Sequence, residues 1–461
     1  MTSYAVTDPT TGVVLESYPT ASDGDIEVML DRSAVAQRDW GRDCTVAERA
    51  DLLGRVAELY VARSEQLAAV IGREMGKPVT QALGEVEFAA AIYQYYADNA
   101  VRFLADEPIE LAWGGEGSAV VRRSALGTVL GIMPWNYPYY QVARFAAPSL
   151  MIGNTVVLKH AAQCPESAAL IEQIFADAGY PVGAYQNLYA TYEQIENIIA
   201  DDRIAAVSVT GSERAGSLIA EIAGRHLKKA VLELGGSDPF IVLSTDDLDA
   251  TVDAAVAARF AENAGQACNG PKRFIVVDEL YDAFVEKLTT RVAAMSPGHP
   301  SDSHTVLGPL SSESAAADLA AQIARSVSAG AKVAFGGSRT GAFIEPTILV
   351  DIDSSNPASK EEFFGPVASL FRVASEDEAI SVANDTPFGL GSYVFTTDPD
   401  QAQRVADRLD VGMVFVNLVG AEEPGLPFGG VKRSGFGREL GPLGVDEFVN
   451  RKVIRIGAST T

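Results

Sequence analysis

The sequence predicts an α/β protein with a doubly wound parallel sheet, a second α/β unit and a short β-rich tail. Between residues 128 and 234, short runs of apolar and β-branched residues alternate with amphipathic stretches of helical length. The same alternation starts again at residue 239, and a separate β-rich stretch spans 448–456. Strands separated by helices indicate parallel pairing, because a parallel connection needs a long crossover.

The N-terminal third is predicted to be helical, because apolar residues recur at three- and four-residue spacing over 25–40, 46–72 and 81–103. The break at Gly76-Lys77-Pro78 superficially resembles a phosphate loop. It is one residue short, and Pro78 stands where Ser or Thr would bind magnesium, so a nucleoside triphosphate site is not predicted.

The first α/β unit carries its polar residues where strands end. Nucleotides bind sheets of this kind at the carboxyl ends of the strands, so we expect a binding site there. No G-x-G-x-x-G motif occurs, so a dinucleotide would bind without the usual glycine turn. The predicted strands are 128–133, 155–158, 204–209 and 230–234, and the predicted helices are 143–151, 167–178 and 215–223.

The second unit is predicted to begin after the glycines of Glu233–Gly236, where we place a domain boundary. The β-rich tail has no evident partner strand, which predicts pairing with the sheet edge of another subunit. The strands of this unit are predicted at 239–243, 273–277, 333–335, 367–371 and 391–395, and its helices at 248–262 and 281–295.

Composition narrows the class of protein. The chain of 461 residues has 61 acidic and 36 basic residues and a net charge of −25, which disfavours nucleic acid and anionic membranes as partners. No apolar run reaches about 18 residues and no signal peptide is visible, so a cytoplasmic protein is predicted. Three widely spaced cysteines and four histidines without ligand spacing predict neither disulfides nor a metal.

Cys268 is the candidate nucleophile, because it lies in a loop of small residues, 262–271, between a helix and a strand. A lone cysteine is more often a small buried hydrophobe. Three other residues favour chemistry: Glu233 at a strand end, Asn136 between two prolines, and Lys159 after the strand 155–158. Their alternatives are a solvated glutamate, a turn asparagine and a surface lysine.

With these residues and their ordered motifs, the sequence resembles the aldehyde dehydrogenase superfamily between about residues 131 and 439. Each motif is weak alone, whereas the ordered set is specific. The motifs are PWNYP at 134–138, TGS at 210–212, ELGG at 233–236, GQAC at 265–268, EFFGP at 362–366, NDTPFG at 384–389, PFGG at 427–430 and SGFGRE at 434–439.

The resemblance implies covalent catalysis on Cys268, with a thioester that Glu233 hydrolyses by activating water. The Asn136 amide and the backbone N–H of Cys268 would hold the oxyanion. It also implies a nicotinamide cofactor and no metal. Ala162 stands where NAD-selective relatives often carry glutamate, which favours NADP with NAD accepted. The implied cofactor residues are Trp135, Lys159, Gly211, Ser212, Leu234, Gly235, Glu362 and Phe364.

Within the superfamily, the sequence resembles the short bacterial succinate-semialdehyde dehydrogenases. Arg144 lies where an arginine binds the substrate carboxylate in such enzymes, and Tyr140 and Glu262 are implied to line the pocket. The alternative for Arg144 is a surface or interface arginine. Glu262 and the pair Glu422-Glu423 disfavour an anionic substrate, which leaves an aminoaldehyde such as 4-aminobutanal as the alternative.

The resemblance also implies a division of the chain and a homodimer or homotetramer. A Rossmann-like cofactor domain would comprise 1–112 and 130–233, a catalytic domain 234–430, and a β oligomerisation arm 113–129 and 431–461. A non-catalytic structural relative would have no need of Cys268 and Glu233, and a CoA-acylating relative no need of Glu233 as a base.

Overall fold

The computed structural model describes residues 4–457; the outermost ends of the predicted cofactor domain and arm, 1–3 and 458–461, lie outside that range. The helices α1–α14 are Asp23–Ala36, Val46–Ala62, Ser64–Met75, Val79–Phe103, Tyr140–Ile152, Pro165–Asp177, Tyr192–Ala200, Glu213–Arg225, Leu248–Val256, Asp278–Ala293, Glu313–Ser328, Glu376–Asn384, Pro399–Arg408 and Gly441–Val445.

The strands β1–β20 are Tyr4–Thr7, Val14–Tyr18, Glu107–Pro108, Ser118–Ala125, Thr128–Met133, Thr155–His160, Tyr185–Asn187, Ile204–Thr210, Lys229–Glu233, Pro239–Val242, Arg273–Val277, Lys332–Phe335, Arg339–Thr340, Phe343–Ile344, Thr347–Val350, Val367–Val373, Tyr393–Phe395, Phe415–Val416, Gly435–Phe436 and Val449–Ile456. Short π or 3-10 turns occur at 37–41, 257–261, 262–265, 357–359 and 432–434.

The first sheet has the predicted doubly wound form, with strand order β19-β9-β8-β5-β6-β7. All of its pairs are parallel except β19 with β9. From β5 the chain winds first through β6 and β7 and then returns to β8 on the other side, so the switch point lies between β5 and β8. Gly131 on β5 allows α5 to pack closely, because a Cβ there would lie 2.1 Å from the Phe145 ring.

The N-terminal helices pack against α5, beneath this sheet. The predicted helix 46–72 is divided at Arg63 into α2 and α3. Helix α3 ends at Met75 and is capped by Gly76, whose φ of 80° is unfavourable for residues with a side chain. Buried aromatic residues of α2, α4, α5 and α6 form much of this core, among them Tyr60, Tyr93, Tyr139 and Phe175. None of the helices within residues 4–457 is both long and apolar enough to cross a bilayer.

The second unit is a seven-stranded sheet with the order β12-β15-β16-β11-β10-β17-β18. Only β12 with β15 is antiparallel. The five predicted strands are present within two residues at either end, whereas β15 and β18 and the helices α11–α13 were not predicted. The predicted helix 248–262 ends as an α-helix at Val256 and continues through two irregular turns into the Cys268 loop.

The tail has a partner strand within its own chain. Strand β20 is not alone, because it pairs antiparallel with β4 of the same chain over eight residues, from Val449 with Ala125 to Ile456 with Ser118. The segment after residue 430 first returns to the cofactor sheet, where β19 pairs with β9. The three-stranded arm sheet, β20-β4-β3, therefore takes only the last part of 431–461.

Candidate functional site

The switch point of the first sheet brings four predicted residues to one edge. Asn136 follows β5, Lys159 lies at the end of β6, Ser212 follows β8, and Glu233 ends β9. The Gly211 N–H donates to the Glu233 carbonyl at 3.0 Å, which ties the ends of β8 and β9 together. The carboxyl edge of the sheet therefore collects the groups that the sequence pattern singled out.

Cys268 lines a cavity of about 570 Å³ between the two α/β units. Tyr140 and Glu262, two of the three predicted substrate residues, share this lining, as do Tyr137 and Glu422. Glu262 accepts a hydrogen bond of 2.5 Å from the Tyr137 hydroxyl, and Glu422 accepts one of 2.5 Å from Asn269. Glu423 is exposed and does not line the cavity.

An irregular backbone presents the Cys268 loop. Asn263 and Ala264 have φ of 48° and 50°, in the left-handed region that costs energy for residues with a side chain. The buried Arg259 offsets this cost by donating to the carbonyls of Val367 at 2.7 Å and Gly265 at 3.2 Å. The thiol is thereby held on a rigid turn rather than on a free loop.

The thiol itself is half-buried, and burial raises the pKa of Cys268 to about 11. The nearby cations Arg144 and Lys272 act in the opposite direction, because positive charge stabilises a thiolate. Lys272 also donates to the carbonyls of Ala267, at 2.8 Å, and Cys268, at 2.5 Å. Without a ligand, the thiol is the dominant form at neutral pH.

Asn136 is buried and its amide is held from two sides. Its Nδ2 donates to the Gln266 carbonyl at 3.1 Å, and its Oδ1 accepts from Gln141 Nε2 at 3.0 Å. The Asn136 carbonyl accepts from Asn263 Nδ2 at 3.0 Å, so the backbone is fixed as well. One amide N–H stays available beside the Cys268 loop, as an oxyanion donor requires.

A buried ion pair positions this segment from below. Glu85 Oε1 accepts hydrogen bonds from the N–H groups of Tyr139, at 2.9 Å, and Tyr140, at 3.2 Å, where α5 begins. Lys77 Nζ pairs with Glu85 and lies 3.6 Å from the centroid of the Tyr137 ring. Lys77, from the segment that superficially resembles a phosphate loop, thus neutralises the Glu85 carboxylate at the N-terminus of α5.

Glu233 is 2% exposed and neither of its carboxylate oxygens has a hydrogen-bond partner within residues 4–457. Its Oε1 lies against the backbone of Gly429, where a Cβ would be only 2.6 Å away. Burial, and then the charge of Glu439, raises the pKa of Glu233 well above its usual range. This environment suits a group that takes up a proton.

Arg144 departs from its predicted role, and the structure corrects it. The side chain is fully buried, does not line the cavity, and pairs with Glu439, with 2.6 Å between Nε and Oε2. It also donates to Thr210 Oγ1 at 3.2 Å, and its guanidinium lies 4.9 Å from the centroid of the Tyr140 ring. The guanidinium faces Glu439 and does not reach the lining of the cavity, and its Nη1 makes no hydrogen bond within residues 4–457.

Two of the predicted cofactor residues, both from the second unit, reach the same edge. Gly236 N–H donates to Glu362 Oε1 at 3.0 Å, and a Cβ on Gly235 would lie 2.3 Å from Glu362 Oε2. Phe364 packs edge-on against Trp135, with ring centroids 5.6 Å apart. Glu362 and Phe364 therefore contact the segments that follow β9 and β5 in the first unit.

The other predicted cofactor residues lie at the ends of β6, β8 and β9. Lys159 Nζ is buried and has no carboxylate partner within residues 4–457, and burial lowers its pKa to about 8. Ser212 caps α8 by accepting from the Ala215 N–H at 3.3 Å, and Leu234 packs beneath that helix against Gly216. Lys159 Nζ lies over the rings of Tyr4, at 5.6 Å, and Tyr192, at 5.0 Å, and no carboxylate neutralises its charge within residues 4–457. The helix N-terminus at Ser212 is a separate group that favours anions.

Sequence reasoning missed several residues that build this site: Lys77, Glu85, Arg259, Lys272, Gln141 and Asn263. A usable signal was the carboxylate of Glu85 on the apolar face of α4, since a buried charge requires a partner. No group of three or more His, Cys, Asp or Glu side chains with metal-binding geometry occurs in the described part of the chain.

Comparison with known proteins gives one family match and several similar proteins of that family. The sequence profile of the aldehyde dehydrogenase family matches residues 1–454. A succinate-semialdehyde dehydrogenase [NADP(+)] of Deinococcus radiodurans is 51% identical over 455 residues, which is 98% of this chain and 94% of the relative. A succinate-semialdehyde dehydrogenase [NADP(+)] 1 of Mycobacterium ulcerans is 42% identical over 98% of this chain and 99% of the relative.

Among solved structures, succinic semialdehyde dehydrogenase from Streptococcus pyogenes, in complex with NADP+ as the cofactor, has a TM-score of 0.96 and 41% identity. The match covers 99% of this chain and 100% of that one. The two-unit α/β architecture described above is thus the architecture of that relative.

Proposed function

The chain belongs to the aldehyde dehydrogenase family, and from that premise we propose that it oxidises succinate semialdehyde to succinate with NADP. The observation that carries the chemistry is the meeting of the Cys268 thiol, the cavity and the Asn136 amide at the switch point of the first sheet. The relatives named above support the choice of substrate and cofactor.

In the first step the Cys268 thiol passes its proton to solvent and the sulfur adds to the aldehyde carbon, so that a carbon–sulfur bond replaces one carbon–oxygen π bond. The resulting negative charge develops on the former carbonyl oxygen. The free N–H of Asn136 and the backbone N–H of Cys268, which has no protein acceptor within residues 4–457, would stabilise this charge.

The bound nicotinamide supplies the acceptor for the hydride that leaves the same carbon. Glu362 would hold the ribose and Phe364 the ring, with Lys159 and Ser212 at the adenosine and pyrophosphate ends. Removal of the hydride leaves an acyl group bonded to Cys268 as a thioester. Ala162 places no carboxylate near Lys159 that would repel a 2′-phosphate, which supports NADP over NAD.

Glu233 would complete the cycle by taking a proton from a water molecule that attacks the thioester. The carbon–sulfur bond breaks, the acid leaves, and the thiol is restored. A buried carboxylate with a raised pKa is matched to this task, because the raised pKa makes its ionised form a stronger base toward water. Its presence also supports hydrolysis over transfer of the acyl group to CoA.

An aminoaldehyde is the second candidate, because the cavity lining favours a cation. Glu262 and Glu422 line the cavity, and among residues 4–457 no Lys or Arg lines it. Because Arg144 pairs with Glu439 outside the cavity lining, the donors available to a substrate carboxylate in the cavity are hydroxyl and amide groups and not a guanidinium.

Steady-state comparison of succinate semialdehyde with 4-aminobutanal, using NADP and NAD, tests the proposal. We expect the highest kcat/KM for succinate semialdehyde with NADP. Glu262→Gln combined with Glu422→Gln should lower KM for succinate semialdehyde and raise KM for 4-aminobutanal, each by roughly threefold to thirtyfold, because the variant removes negative charge beside the substrate.

Gln403→Glu, a change of opposite sign outside this cavity, is the control and should alter neither KM. A preference of the unmodified enzyme for 4-aminobutanal would replace succinate semialdehyde by the second candidate.

We further propose a homodimer or homotetramer in the cytoplasm. Strand β20 is an edge of the arm sheet, with Val453 64% and Ile456 61% exposed, and a second copy would cover such an edge. Light scattering should give two or four times the chain mass of 48.7 kDa; a monomer would contradict the proposal. All three cysteines are free, which supports a reducing compartment.

A further inference from the structure

The side chain of Gln141 lies at the point where the cavity meets the Asn136 amide. It is 1% exposed, lines the cavity together with Cys268, and donates Nε2 to Asn136 Oδ1 at 3.0 Å. We propose that Gln141 is a positioning residue that sets the direction of the Asn136 amide and thereby the strength of the oxyanion site. This inference rests on the proposed function, in which Asn136 is an oxyanion donor.

The direction of both amides follows from one backbone carbonyl. The Gln266 carbonyl can only accept hydrogen bonds, so the atom of Asn136 that lies 3.1 Å from it must be Nδ2. Asn136 Oδ1 then faces Gln141, and an acceptor in that position has to meet a donor. Gln141 must therefore present Nε2, whose N–H groups supply that donor.

The Gln266 carbonyl, which accepts from Asn136 Nδ2, cannot move to accommodate a rotation of the Asn136 amide. Gln266 is fixed by its own side chain, which donates to the Asn263 carbonyl at 3.1 Å and accepts from the Ser311 N–H at 2.9 Å. If the Asn136 amide rotated by half a turn, its oxygen would face the Gln266 carbonyl and repel it. The same rotation would place the oxygen where the substrate develops negative charge, so Gln141 selects the productive orientation.

Gln141 has no other side-chain bond that a substitution would break. Its Oε1 is buried and has no partner within residues 4–457, so the bond to Asn136 is the one its amide makes to protein. Its backbone N–H caps the start of α5 by donating to the Tyr137 carbonyl at 3.1 Å, and a side-chain change leaves this contact in place. The residue can therefore be replaced with little effect on the fold.

Gln141→Met keeps the shape and removes the donor. We expect kcat for succinate semialdehyde with NADP to fall about tenfold with KM changed less than about twofold, because the donor acts on the oxyanion and not on ground-state binding. Gln186→Met is the matched control: it removes a similarly buried amide that bonds to Met29 and Ser33, outside the cavity lining. It should leave kcat unchanged.

Gln141→Glu gives a test within one variant. Ionised glutamate can only accept, so it opposes Asn136 Oδ1, whereas protonated glutamate donates. The ratio of kcat for Gln141→Glu to kcat for the unmodified enzyme should rise as pH falls, and Gln141→Met should show no such rise. A ratio that is independent of pH would overturn the proposal, even if Gln141→Met proved too unstable to assay.

A double-mutant cycle separates action through Asn136 from any other role. In the Asn136→Ala background, Gln141→Met should change kcat by less than about twofold, because the amide that it orients is absent. An undiminished tenfold loss in that background, or an unaltered kcat in the single variant, would disprove the positioning role. Failure of the unmodified enzyme to oxidise any aldehyde would instead contradict the proposed function.

Discussion

Replacing Cys268 with serine should lower kcat for every aldehyde by roughly a thousandfold or more, because a hydroxyl in this site is a far weaker nucleophile than a thiol. NADP reduction followed by absorbance measures the loss. Cofactor affinity, followed by quenching of protein fluorescence, should change little, since the proposed cofactor residues Lys159, Ser212 and Glu362 remain in place.

Cys44→Ser is the matched control, because Cys44 is a free, half-buried thiol at the start of α2 and does not line the cavity. It should retain normal turnover. If Cys268→Ser kept even a tenth of the activity, covalent catalysis on this thiol would be excluded.

The protonation of Cys268 gives this prediction a pH dependence. Its pKa of about 11 lies above neutrality, so the thiolate fraction rises with pH. Alkylation of the unliganded enzyme by iodoacetamide should therefore accelerate about tenfold per pH unit between pH 7 and 10. A rate already saturated at pH 7 would show that the raised pKa is wrong.

Replacing Glu233 with glutamine should separate oxidation from hydrolysis. The variant should release a burst of about one NADPH per active site and then turn over roughly a hundred to ten thousand times more slowly, because the general base is absent. Mass spectrometry of the stalled enzyme should detect the acyl group on Cys268.

The pH profile distinguishes a base from a structural carboxylate. Burial and the charge of Glu439 raise the pKa of Glu233, so the fraction able to accept a proton increases as pH rises. Steady-state kcat of the unmodified enzyme should rise with pH as Glu233 ionises, and Glu233→Gln should lack this rise. Glu172→Gln, at a half-buried carboxylate on α6, should behave as the unmodified enzyme does. Rapid steady turnover by Glu233→Gln without a burst would assign hydrolysis to another group.

The sequence by itself was sufficient for the two α/β units and for the residues at their strand ends. Strands such as β5, β6 and β8 can be identified from their own residues, because burial on both faces requires continuous apolar and β-branched residues. The ends of these strands are also marked locally, so the sequence alone predicts Asn136, Lys159 and Glu233 at one edge of a sheet.

Only the tertiary structure decided which buried charges pair. The family resemblance implied that Arg144 binds the substrate, yet in the fold Arg144 pairs with Glu439, which lies in the segment after β19. The partner of β20 was equally undetermined, because strand pairing depends on a distant segment, β4, and not on the tail's own residues. Periodicity reports whether a side chain is buried, whereas its partner depends on how remote segments pack, and that information is spread over the whole chain.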